Sequence, residues 1–111
     1  MHRGDIVIIA QKGAYEGKPR PAVIIQSENL LADHPSILVC LLTTTDEAAT
    51  GAFYRIPVQP SSANGLNAPS LILVDKISTV RRENVGQVIG SLEAATIGRL
   101  NTALALFQGL I

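Results

Sequence analysis

The stretch Lys18-Pro19-Arg20-Pro21-Ala22-Val23-Ile24-Ile25-Gln26-Ser27 decides how the chain is read. A proline fixes its own φ and pushes the residue before it toward extended geometry. Arg20 stands between two prolines and is therefore held rigidly where an apolar, β-branched run begins. That run, residues 22–26, reads as a strand. An arginine so placed is poorly suited to a core. Its planar fork of donors is well suited to meeting a phosphate.

Working outward, short apolar runs alternate with polar turns. Residues 6–10 read as a first strand and residues 11–17, polar with two glycines, as a loop. Ser27 followed by residues 28–33 reads as one helical turn capped by the serine. Residues 36–42 are a third strand, and residues 43–51 a polar loop. Residues 52–58 form a fourth strand, with Phe53, Arg55 and Pro57 alternating against Tyr54, Ile56 and Val58. Residues 60–69 hold Ser, Asn, Gly and Pro and are irregular. Residues 70–75 and 76–80 make a fifth strand with a kink, and residues 85–90 a short sixth. From Leu92 the pattern turns helical, with Leu100, Leu104 and Phe107 on the face to be buried, Ser91 as N-cap and Glu93 in the first turn. Many short strands followed by one helix predict a mainly β, α+β fold: a small barrel-like sheet with a helix packed on it.

The 111 residues make a single domain, 1–111, and no apolar run reaches 18 residues, so a soluble, cytoplasmic protein is expected. Cys40, the one cysteine, excludes an internal disulfide and sits in an apolar run. Nine basic and nine acidic side chains cancel, which argues against a general polyanion binder. The charges are segregated, however. Residues 1–27 sum to +2, residues 28–50 to −4 and residues 51–82 to +3, so a local basic surface forms if the first and third segments meet. Spare apolar residues near the end, Leu106, Leu110 and Ile111, with Leu66, Ala68, Leu71 and Ile72, point either to a filled core or to a homodimer face.

No P-loop, G-x-G-x-x-G, H-E-x-x-H or nucleophile elbow is present. His2 and His34 fall in a terminus and a loop, as solvated surface. No carboxylates cluster at ligand spacing, so neither a metal nor another cofactor is expected. What remains is Arg20, the hydroxyls of Thr43, Thr44 and Thr45, and Asp75-Lys76 at the end of a buried strand. Each has a structural reading: a surface cation, hydroxyls bonding the backbone, a capped bulge. Converging at one rim, at the ends of strands expected to be neighbours, a guanidinium, a hydroxyl and a carboxylate can bind a phosphodiester and steer its proton transfers.

These residues resemble the MazF/PemK (Kid-like) toxins of bacterial type II toxin–antitoxin modules. The resemblance runs through Arg3-Gly4-Asp5-Ile6, through Gly17-Lys18-Pro19-Arg20-Pro21-Ala22-Val23-Ile24-Ile25, and through Leu38-Val39-Cys40-Leu41-Leu42-Thr43. It continues in Leu73-Val74-Asp75-Lys76-Ile77-Ser78-Thr79-Val80 and the final helix. It implies an SH3-like small barrel of MazF/CcdB type, a homodimer, and a metal-independent endoribonuclease cutting single-stranded RNA at a short sequence. The implied reaction is 2′-OH attack leaving a cyclic phosphate, with Arg20 and Thr43 catalytic, and Asp75 matches an acidic position of the family. Read from the residues themselves, Tyr15 is placed to stack a base, in a loop that departs from the family pattern, and Lys18, Thr44, Asp75 and Lys76 are expected on the RNA. A cognate antitoxin is the implied partner, its acidic tail attracted by Lys18, Arg20, Lys76, Arg81 and Arg82; the toxin–antitoxin complex binds DNA. The chain departs from the common pattern at Lys76, where glutamine is usual, and at Ser78, where arginine is usual. Leu73 stands where some members carry arginine. The rival readings are a non-enzymatic gyrase-binding toxin of CcdB type on the same architecture, and a catalytically silent barrel that only dimerises or binds RNA.

Overall fold

The computed structural model describes residues 1–10, 19–44 and 51–111. Six strands, β1 (Asp5–Ile9), β2 (Arg20–Ile24), β3 (Ser36–Thr44), β4 (Arg55–Val58), β5 (Ser70–Arg81) and β6 (Val85–Ser91), form one antiparallel sheet in the order β4-β5-β3-β2-β1-β6. One helix, α1 (Ala94–Phe107), follows. No helix among the described residues is long and apolar enough to cross a membrane. The architecture is the expected one: mainly β with a C-terminal helix. The ladder itself stays open, and residues 59–66 bridge its edges, with the Ser91 N–H donating to the Ala63 carbonyl at 2.9 Å.

Both faces of the sheet are covered, and this explains why its strands read as continuous apolar runs rather than clean alternations. One face carries Ile6, Val23, Cys40, Ile72 and Val74 against Leu100, Ala103 and Leu104 of α1. The second carries Val7, Ile9, Ala22, Ile24, Val39, Leu41, Leu71 and Leu73. For Leu71 and Ile72, which the sequence left between a filled core and a dimer face, the structure gives the filled core: both are buried. The pleat turns consecutive residues to opposite faces, and here each face has its own cluster to receive them.

The predicted kink in the fifth strand is a bulge. Cys40 pairs with Ile77 and its neighbour Leu41 pairs with Leu73, so Val74, Asp75 and Lys76 are extra on β5. A bulge bends the strand and re-aims the inserted side chains. Val74 turns into the helix-side cluster, and its N–H reaches the Tyr54 carbonyl at 2.9 Å.

Several boundaries moved for identifiable reasons. Thr43 and Thr44 continue β3 because β5 is long enough to pair with them, Thr43 with Leu71 and Thr44 with Ser70. The fourth strand begins at Arg55, not residue 52, since the Arg55 N–H closes a turn onto the Ala52 carbonyl. Ser91 is not the helix cap. It ends β6, and its Oγ donates to Asp5 at 2.7 Å, so Glu93 takes the cap position. Ser27 precedes a 3₁₀ turn, Glu28–Leu30, without a side-chain capping bond. Phe107, expected on the buried face, is 45% exposed, with its ring 5.6 Å from that of Tyr54. His2 is not merely solvated: its Nδ1 lies 2.9 Å from Glu28, whose carboxyl is held below its ordinary range first by the Arg3 amide and then by His2.

The irregular segment between β4 and β5 is organised around the side chain of Asn64, with Ser61 Oγ accepting the Asn64 N–H at 3.1 Å and donating to Glu93 at 3.0 Å. Asn64 is fully buried, and its Oδ1 accepts the N–H groups of Ser61 and Leu66, both at 3.0 Å. Its Nδ2 donates to the Gln59 carbonyl at 2.8 Å and to Glu93 at 3.3 Å. Gly65 follows with φ +70°, and a Cβ there would collide with the Ile89 carbonyl. The loop thereby ties the sheet edge to the start of α1.

Candidate active site

Arg20 opens β2, half-buried, because its two prolines confine the chain to extended geometry at that point. Its direct partner on β1 is Ile9. On the other side, β2 and β3 are paired as Ala22 with Leu41, Val23 with Cys40 and Ile24 with Val39. Continuing that register by two residues sets Arg20 opposite Thr43. Directly opposed residues share a face, with Cα atoms about 4.5–5.5 Å apart. Ala22 and Leu41, one step along each strand, both lie in the second-face cluster, so Arg20 and Thr43 open onto that same face. The rung is continuous across the sheet: Pro57, Leu71, Thr43, Arg20, Ile9, Val85.

Thr43 is half-buried, and its Oγ donates to the Thr44 carbonyl at 3.4 Å. Hydroxyl hydrogen bonds are ordinarily 2.5–3.0 Å, so this hydroxyl is held loosely and can turn to a better acceptor. Thr44 alternates to the helix side. With Ile8, Pro21, Leu66, Asn67 and Ile89 it lines a cavity of about 210 Å³ immediately behind the Arg20–Thr43 rung.

Asp75 does not join this rung. It lies within β5, four residues beyond Thr43's partner Leu71, or roughly 13 Å of extended strand. Its carboxylate is held by Arg55, Nε to Oδ1 at 2.9 Å and Nη2 to Oδ2 at 2.8 Å, and this bond keeps its pKa below the ordinary carboxylate value. Lys76 is exposed in the same bulge. Arg81 and Arg82, expected beside Arg20, are at the other end of β5: Arg81 pairs with Ser36, seven residues along β3 from Thr43. The antiparallel register carries them away from Arg20. Tyr15, Lys18 and Thr45 lie outside the described residues.

Arg55 is the side chain that sequence reading passed over. The outward alternation of Phe53, Arg55 and Pro57, with an acid in the kink of the next strand, was the available signal. Cys40 is fully buried, and desolvation pushes its thiol up to about 12, so it is an inert core residue. Among the described residues no group of three His, Cys, Asp or Glu side chains is arranged to hold a metal ion.

Residues 2–108 match the family described as PemK-like, MazF-like toxin of type II toxin-antitoxin system. Over 110 residues the chain is 39% identical to a probable endoribonuclease MazF of Mycolicibacterium smegmatis, covering 99% of this chain and 98% of that one. Among solved structures, a Mycobacterium tuberculosis MazF toxin superposes with a TM-score of 0.78 at 28% identity, over 95% of this chain and 96% of that one. A mycobacterial endoribonuclease solved with its cognate antitoxin gives 0.80 at 23% identity over 100% and 97%, a likeness of fold. These matches do not favour the gyrase-binding CcdB reading. With its fold, its Arg-Pro strand and these relatives, the chain belongs to the PemK-like, MazF-like toxin family of type II toxin–antitoxin systems.

Proposed function

We propose that the chain is an endoribonuclease toxin that cuts single-stranded RNA in the cytoplasm and is neutralised by a cognate antitoxin. The observation that carries this reading is the Arg20–Thr43 rung: an arginine whose backbone two prolines confine and a loosely held hydroxyl, opposed in register on one face at the ends of β2 and β3. In the proposed reaction the RNA 2′-OH attacks the adjacent phosphorus. The 2′ proton is lost, the 5′-oxygen leaves and takes up a proton, and a 2′,3′-cyclic phosphate remains. The nucleophile is the substrate's own hydroxyl, so no metal or cofactor has to supply one.

The planar guanidinium of Arg20 offers donors and positive charge to the negative phosphorane, which makes it a stabiliser of charge rather than a base. Thr43 exchanges its long contact to Thr44 for a phosphate oxygen or the 2′-OH. Losing one such preorganised donor raises the barrier by about 3 kcal/mol, or roughly a hundredfold in rate. Tyr15, Lys18 and Lys76 contact RNA; Thr44, on the helix side at the end of β3, reaches RNA only around that strand end, and Asp75 acts through Arg55, which holds it. A homodimer covers part of the apolar surface left by Phe53, Leu106, Phe107, Leu110 and Ile111. The complex with antitoxin binds DNA.

The test is digestion of single-stranded RNA in EDTA, with a second substrate carrying a 2′-deoxy sugar at the cut site. Products ending in cyclic phosphate, and an uncut deoxy substrate, are expected. Cleavage of the deoxy substrate, or inhibition of gyrase supercoiling without RNA cleavage, contradicts the reading.

A further inference from the structure

Arg55 shows features that its place at a sheet edge does not require. It pairs directly with Leu73 across β4 and β5, and Leu73 pairs with Leu41 across β5 and β3. Leu73 and Leu41 belong to the second-face cluster, so Arg55 stands on the face that carries Arg20 and Thr43. It is one step along the strands from their rung and two strands from Thr43. Strands are spaced about 4.8 Å apart and a two-residue step is about 6.8 Å. The two backbones are therefore on the order of 12 Å apart, close enough for long side chains to contact one extended RNA strand.

The bulge explains the orientation. By inserting residues between the Cys40 and Leu41 rungs, β5 turns Asp75 onto the guanidinium of Arg55 in a bidentate bond at 2.9 and 2.8 Å. That bond uses Nε and one proton of Nη2. It leaves Nη1 and the outer Nη2 proton as a rigid donor edge, and the Arg55 side chain is 33% exposed. The guanidinium also lies 5.9 Å from the Tyr54 ring centre, and that ring contacts Phe53 at 5.4 Å and Phe107 at 5.6 Å. A charged group pinned from two sides loses little further freedom on binding an anion.

We propose that Arg55 is an RNA-binding residue that grips a backbone phosphate flanking the scissile one, with Asp75 as the positioning residue that aims it. The assignment rests on the nuclease reading above and extends the substrate's footprint from the β2–β3 rung to β4. An RNA phosphate is favoured over an acidic antitoxin segment because Arg55 shares, by register, the face of the reaction centre.

The experiment uses the full chain and an RNA oligonucleotide carrying the sequence that the wild type cuts, either fully flanked or trimmed on each side. For R55A the effect falls on KM, about tenfold on the flanked substrate, and vanishes on the trimmed one. Between 50 and 200 mM salt, the slope of log KM against log salt shrinks by about 0.7, the loss of one phosphate contact to a single strand. R55K keeps the charge and the slope, with a raised KM, because lysine cannot form the bidentate bond. D75N likewise raises KM at unchanged slope. A KM and slope for R55A equal to the wild type overturn the proposal, even if antitoxin binding weakens. So does a lower KM in D75N, which means that Asp75 only repels RNA. Absence of cleavage by the wild type would defeat the nuclease reading instead, and the two failures are distinguishable.

Discussion

Replacing Asn64 by alanine tests the account of what holds the sheet edge to the helix. The amide is fully buried and fixes four groups: the N–H of Ser61, the N–H of Leu66, the Gln59 carbonyl and the Glu93 carboxylate. Alanine strands at least the two amide donors. Each orphaned donor costs about 1–3 kcal/mol, so the variant is destabilised by about 3 kcal/mol. Against a typical total of about 5–15 kcal/mol this is a large fraction. At about 4–8 °C per kcal/mol for a chain of this size, Tm falls by on the order of 15 °C. Thermal unfolding at fixed protein concentration reads it. Asn64→Asp sharpens the test by preserving the shape. Its second oxygen faces the Gln59 carbonyl and Glu93, both acceptors, so the ionised form is disfavoured and the folded pKa of the new carboxyl rises. This variant is therefore weakest at neutral pH and recovers as acid protonates that oxygen into a donor. A Tm within 2 °C of wild type for Asn64→Ala, or no acid recovery in Asn64→Asp, refutes the reasoning.

Three further outcomes follow from the structure. Gly98 lies inside α1 with open space where a Cβ would project, nothing standing within 4 Å of it, so Gly98→Ala stabilises the protein by about 1 kcal/mol, visible as a higher urea midpoint at unchanged m-value. Cys40, with its thiol pushed up to about 12, resists a thiol reagent at pH 8 while folded and reacts once on unfolding in urea; rapid labelling of the native protein contradicts its placement. Asp75 has its pKa lowered by Arg55, so its contribution to stability is full above the ordinary value of 3.8 and is lost as pH falls through its depressed folded value; Asp75→Asn removes that part of the acid dependence, and an unchanged acid limb counts against the ion pair.

The order of strands and the closing helix were legible because the apolar runs are short, β-branched and separated by Gly, Pro and Asn. The kink at residues 75–76 was legible too, as two polar residues interrupting an apolar strand. The reach of β3 was not. Thr43 and Thr44 look like loop residues until the length of β5, a non-local partner, is known. Ser91 failed as a cap for a similar reason: Asp5, 86 residues away, claims its hydroxyl. Arg20 stood out as a candidate because its constraint is local, two flanking prolines. Arg55 was not, since its significance lies in a bidentate bond to a residue 20 positions on, aimed by a bulge whose register only pairing defines. Arg81 and Arg82 were misplaced because charge sums along a chain ignore antiparallel direction.

The central claim is that Arg20 and Thr43 act together on one phosphate. Single-turnover cleavage of RNA by the wild type, Arg20→Ala, Thr43→Ala and the double variant measures it most directly, with folding verified by circular dichroism. Each single variant is expected to lose roughly a hundredfold or more in rate. The double variant is expected to lose much less than the product of the two, as groups that act as a unit do. A folded single variant cutting at the wild-type rate contradicts the claim, and so do two losses that simply multiply.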